Sequence, residues 1–94
     1  MRTYEIILIF QPDLDEGVVN ETLEKVNGWV AASGGTVEKT DMWGKKRMAY
    51  EIKKQREGNY VMITSNMPPS ATAELTNNMR FVEPILRSMI SVVE

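Results

Sequence analysis

The sequence predicts an α+β domain in which strands and helices follow the order βαββαβ. Three observations lead there: an alternating β-branched and aromatic run at residues 3–10, two segments with apolar residues at helical spacing, and a hairpin-like pair of runs between them. In the first run Tyr4, Ile6, Leu8 and Phe10 share one face, and Glu5, Ile7 and Ile9 the other. Pro12 ends it. Asp13 and Asp15 offer side-chain oxygens to the free amides of a helix beginning near Glu16. Val19, Leu23, Val26 and Val30 form its apolar stripe, and Gly34 and Gly35 stop it.

Residues 36–52 read as one long strand interrupted at Gly44, where glycine accepts the backbone angles of a bulge. Residues 53–58 read as a charged turn, after which residues 59–67 return as a strand with Val61, Ile63 and Ser65 opposite Tyr60, Met62 and Thr64. Pro68 and Pro69 set the entry to a second helix over 70–80, with Ala71, Leu75, Met79 and Phe81 expected to face inward. Pro84 opens a last strand, in which Leu86, Ser88, Ile90 and Val92 alternate with Ile85, Arg87, Met89 and Ser91. This order is the ferredoxin-like pattern: right-handed crossovers place both helices on one face of a four-stranded antiparallel sheet. A single domain over residues 1–94 is expected.

Composition narrows the function. The chain has neither cysteine nor histidine, which excludes disulfides and thiol nucleophiles and removes the commonest metal ligand and general base. Asp13, Asp15, Glu16 and Glu24 look superficially like a calcium loop, but Val18 stands where that loop demands glycine, so they read as helix-start acids and no metal is expected. No Gly-rich phosphate loop or general base points to a small-molecule substrate, a cofactor or an enzyme. The chain lacks a signal-peptide pattern and an apolar run of membrane-spanning length, so a cytoplasmic protein without a membrane partner is expected. The formal net charge of −2 gives no global attraction to phosphate, so any role with nucleic acid must rest on local clusters.

One such cluster is Trp43-Gly44-Lys45-Lys46-Arg47-Met48-Ala49-Tyr50-Glu51-Ile52, where three consecutive cations follow the expected bulge. A bulge re-aims side chains and can turn cations from a sheet edge toward a phosphate backbone; the alternative is a solvated edge guarded against aggregation. Two helices can cover only one side of the sheet. If Ile6, Leu8, Phe10, Val61, Ile63 and Ile90 meet them, then Ile7, Ile9, Tyr60, Met62, Ile85 and Met89 lie on an open docking side.

The stretch from Gly44 to Ile52 resembles the signature of the bacterial small-subunit ribosomal protein number six family: glycine, basic residues, then Leu-Ala-Tyr-Pro-Ile. The resemblance extends to the opening Met1-Arg2-Thr3-Tyr4-Glu5-Ile6, to Pro12-Asp13, to Met79-Arg80-Phe81 and to Ile85-Leu86-Arg87-Ser88-Met89. It spans essentially the whole chain. Met48 replaces the usual leucine, Lys46 an arginine, and Glu51 a proline, which restores a backbone donor but sets a negative charge beside the cations.

The resemblance implies a structural constituent of the small ribosomal subunit that binds the central domain of small-subunit ribosomal RNA jointly with small-subunit ribosomal protein number eighteen. A more basic partner would supply much of the phosphate neutralisation. On this reading Arg2, Lys45, Lys46, Arg47, Arg80 and Arg87 are expected to contact RNA, and Ile7, Ile9, Trp43, Tyr50, Tyr60, Met62 and Met89 the protein partner. Two other readings stay open. Residues 57–63 loosely resemble the third strand of an RNA-recognition motif, although the first strand lacks the stacking ring such a platform needs. A small-molecule sensor on the same fold is the other, since this fold hosts many activities.

Overall fold

The computed structural model describes residues 1–93, ordered as β1 (Arg2–Phe10), α1 (Glu16–Ala32), β2 (Thr36–Ile52), β3 (Gln55–Met67), α2 (Ala71–Arg80) and β4 (Ile85–Val92). The strands form one sheet in the order β2-β3-β1-β4, each neighbouring pair antiparallel. The βαββαβ expectation is met. Because β1 and β3 are flanked on both sides, their alternating apolar residues form the centre of the core, and Ile6, Leu8, Phe10, Val61 and Ile63 are fully buried. Val19, Leu23, Val26 and Val30 of α1, and Ala71, Leu75 and Met79 of α2, close over them in one cluster.

The helix ends show how local chemistry places these layers. At the end of α1 the Gly34 amide donates to the Ala31 carbonyl at 3.0 Å, and the Gly35 amide to that of Val30 at 3.0 Å. That is a Schellman motif, and Gly34 supplies its left-handed residue with φ +89°. Gly35 is needed for a different reason: a Cβ there would lie 2.8 Å from Met67 Cβ, so only glycine lets the chain cross so close to β3. At the start of α1 the expected side-chain cap is absent. Asp15 occupies the N-cap without a side-chain hydrogen bond, and its backbone carbonyl instead accepts from the Val18 and Val19 amides.

Three further expectations change. Phe81 is 76% exposed, because α2 ends at Arg80 and the chain turns away before the ring can join the helix stripe. The turn between β2 and β3 is only Lys53 and Lys54, both with positive φ (51° and 67°), so β3 begins at Gln55 and the arm is longer than the charge pattern suggests. Ile85 joins the helix-side core, and Leu86 lies on the other side. The cause is a bulge: Phe10 pairs with Ile85 but Ile9 with Arg87, which reverses the alternation at the start of β4.

Candidate RNA and protein interface

Strand register arranges the second face of the sheet in rows. Met62, Ile7 and Met89 lie side by side across β3, β1 and β4, with Tyr60, Ile9 and Arg87 next to them and Thr64, Glu5 and Ser91 on the polar flank. Among the described residues no helix covers this side. Ile7 and Met62 are half-buried and Met89 is exposed, so an apolar band is left in solvent.

The β2–β3 arm covers part of that face, a feature the sequence pattern did not reveal. Gly44 takes φ +83° at a register shift between Met42 and Gly44, so the expected bulge is present. A larger irregularity follows, because Arg47 pairs with Glu57 whereas the next pairing joins Ile52 to Gln55. The surplus of β2 residues bends the arm. Met48 is thereby packed with Ile9 and Leu86 in a second small cluster, supported by Ile52 and Tyr60. Ile9, expected to be open, is therefore only 4% exposed, and this corrects the view of the face as wholly uncovered. At the edge of this cover the Arg87 guanidinium donates through Nη1 to the Tyr50 hydroxyl, tying arm to β4. Between them runs a mostly apolar cleft of about 200 Å³ whose walls include Tyr50, Tyr60, Arg87 and Met89.

The cations fall into three places. Lys45, Lys46 and Arg47 are exposed on β2, an edge strand. Lys46 Nζ sits 5.1 Å from the centroid of the Trp43 ring, which is 42% exposed. Arg47 lies opposite Glu57, and the cleft it lines also holds Glu51, whose carboxylate pairs with Arg56 at 3.1 Å. Negative charge thus dilutes this cluster, and Glu51 is the residue that stands where the family signature has proline. Arg2 is exposed at the opposite end of β1, roughly 27 Å along the strand from Phe10 at about 3.4 Å per residue, so the fold does not bring it to the other cations. Arg80 and Arg87 are exposed and line one groove along β4, together with Lys53 from the arm tip, which the spacing of residues in the sequence gave no reason to group with them.

Among the described residues no group of three acidic side chains is placed to hold a metal ion, and no helix is long and apolar enough to cross a membrane. The central strands of the open face carry one ring, Tyr60, which is too few for a base-stacking platform on both strands.

A profile of the family described as ribosomal protein S6 matches residues 3–91. The chain belongs to that family. It is 42% identical over 90 residues to the small ribosomal subunit protein bS6 of Saccharopolyspora erythraea, covering 96% of this chain and 76% of that one. To the bS6 of Mycobacterium tuberculosis it is 44% identical, covering 96% and 94%. Among solved structures, 30S ribosomal protein S6 of Thermotoga maritima superposes with a TM-score of 0.88 at 29% identity, covering 97% of this chain and 86% of that one. The P2 domain of the chemotaxis kinase CheA, solved in complex with CheY from Thermotoga maritima, gives a TM-score of 0.61 at 18% identity over 98% of each chain, a likeness of fold alone. As a ribosomal protein S6 the chain is a structural constituent of the small ribosomal subunit and not an enzyme.

Proposed function

We propose that this S6-family chain binds the central domain of small-subunit ribosomal RNA together with small-subunit ribosomal protein number eighteen, as a two-sided adaptor. The observation that carries this reading is the half-covered sheet: a partly exposed apolar band of Met62, Ile7 and Met89 beside exposed cations at both edges. The band suits a protein partner, with Tyr60, Tyr50 and Trp43 extending it toward the arm. Ile9 supports that surface from below rather than touching the partner, since Met48 and Leu86 enclose it. Lys45, Lys46 and Arg47, with Arg2, Arg80 and Arg87, supply phosphate contacts that position the protein without reading bases. A cation-rich partner explains how a chain of net charge −2 joins an RNA assembly.

Isothermal titration against a central-domain RNA fragment, with and without the partner protein and at two salt concentrations, tests this. Binding is expected to be tighter with the partner present and to weaken with salt. Equal affinity with and without the partner would remove the adaptor reading.

A further inference from the structure

The two edges of the sheet differ in how they are protected, and we propose that the unguarded one, the outer side of β4, pairs two-fold with the β4 of a second copy of this chain. This goes beyond the RNA and partner reading and does not depend on it.

An edge strand carries unpaired amides and carbonyls, and a lasting edge is blunted by lysines, bulges or a covering element. β2 has the first two: Lys39, Lys45, Lys46 and Arg47 are exposed along it, and Gly44 bulges it. β4 has neither over its second half. From Ser88 to Val93 six residues in a row have no charge, proline or glycine, between Arg87 and Glu94 in the sequence. Their register against β1 is regular, and among the described residues nothing pairs with their outer side. Val92 is 49% exposed and Val93 51%.

Pairing with β1 decides which backbone groups are free. Val92 lies opposite Tyr4, and the Val93 amide donates to the Thr3 carbonyl at 2.9 Å, so Val93, Ser91 and Met89 turn their backbone groups inward to β1. Ser88, Ile90 and Val92 turn theirs outward. The antiparallel register that engages all three in both copies has Ile90 on the two-fold axis, facing its own counterpart, and each Ser88 opposite the other copy's Val92. These side chains share the helix side of the sheet, since their β1 neighbours Leu8, Ile6 and Tyr4 belong to the main core. Like charges do not meet. Arg87 falls opposite Val93, and the two Arg87 positions stand roughly 20 Å apart at about 3.4 Å per residue, well beyond a screening length of about 8 Å.

Room for the second strand exists beside α2. A cleft of about 640 Å³ runs there, lined on α2 by Thr72, Ala73, Thr76 and Asn77 and on β4 by Ser88 and Ile90. The small uncharged side chains of the helix leave space for Ile90 and Val92 of the other copy, and Arg80 lies toward the Ile85 end of β4, away from the axis. One strand pair belongs to the small class of interfaces, below about 1,200 Å², so the dimer is weak and concentration-dependent. The pairing is isologous and uses up the edge, so assembly stops at two copies.

Sedimentation velocity and amide hydrogen exchange on the full chain test this, from about 10 μM to about 1 mM, the range in which so small an interface is half-formed. The parent is expected to pass from monomer to dimer, with exchange at Ser88, Ile90 and Val92 slowing as the dimer forms and exchange at Met89 and Ser91 little changed. Ser88→Lys with Val92→Lys sets like charges opposite each other twice and is expected to weaken the dimer at least about tenfold. Ser88→Lys with Val92→Glu sets opposite charges there and is expected to dimerise at least as well as the parent. Should the first variant fold poorly in urea unfolding, Val92→Pro removes an outward-facing amide rather than one bonded to β1, and is expected to stay folded and monomeric. A parent that is monomeric at every concentration would overturn the proposal, as would equal dimerisation by the two charge variants or growth past the dimer. So would a monomer whose Ser88, Ile90 and Val92 amides are protected only on adding the partner protein, which would assign the edge to that partner. RNA binding is tested separately by the titration above and stands or falls apart from these outcomes.

Discussion

The two faces of this sheet are covered by different means, and the contrast explains how a small chain is both stable and adhesive. On one side α1 and α2 close over β1 and β3, leaving no exposed surface on Ile6, Leu8, Phe10 or Ile63. On the other, only the bent β2–β3 arm reaches across, sealing Ile9, Met48 and Leu86 and leaving the Met62, Ile7 and Met89 band to solvent. Helices bury a stripe every three to four residues and so shield a whole face, whereas an arm of two strands shields only what lies beneath it. The helix side holds the fold together, and the arm side keeps apolar surface for assembly.

Truncation sharpens that difference most. Ile63→Ala is expected to cost about 3–4 kcal/mol in urea unfolding, and Leu86→Ala about 2 kcal/mol, because the arm cluster is small and can collapse or admit water. Equal costs would mean that the arm cluster is as rigid as the main core. Gly44→Val should lower stability by more than about 1 kcal/mol, since a β-branched side chain resists φ +83° although nothing crowds a Cβ there. An unchanged urea midpoint would show that the arm does not depend on this bulge. In the other direction, Lys54→Gly should raise stability by about 0.5–1 kcal/mol by relieving a left-handed lysine in the two-residue turn.

Smaller still is Ser65→Ala in the main core. The Ser65 hydroxyl is fully buried with no partner among the described residues, so its removal is expected to be neutral or to stabilise by less than about 1 kcal/mol in thermal unfolding. A clear loss would reveal a hydrogen bond to Ser65. Least of all should stability respond to Lys45→Glu, Lys46→Glu and Arg47→Glu combined, as all three are exposed; the same variant should weaken RNA assembly with the partner in a gel shift.

Patterns repeated within a single element were legible in the sequence. The α1 stripe, the β1 and β3 alternation, the bulge at Gly44 and the strand range 36–52 all follow from spacing and backbone chemistry that neighbouring residues settle among themselves. The candidate site was legible only in part: three adjacent cations in β2 and the neighbouring Glu51 stand out, yet it is the fold that sets Glu57 opposite Arg47. Misreadings fell where parity or reach is decided between elements. Ile85 changed sides because a bulge against β1 reset the alternation, and Phe81 stayed outside because it follows the last residue of α2, Arg80, where the chain turns away.

By itself, then, the chain's order of residues determined which segments are strands and helices, which stripe α1, β1 and β3 bury against one another, and that two helices cover only one side of the sheet. Only the tertiary structure decided that the arm folds back over Ile9, and that Lys53, Arg80 and Arg87 share a groove. The reason is physical: periodicity reports the faces of a local element, whereas the meeting of an arm tip, a helix end and an edge strand depends on bends and register shifts that are fixed only when the strands pair.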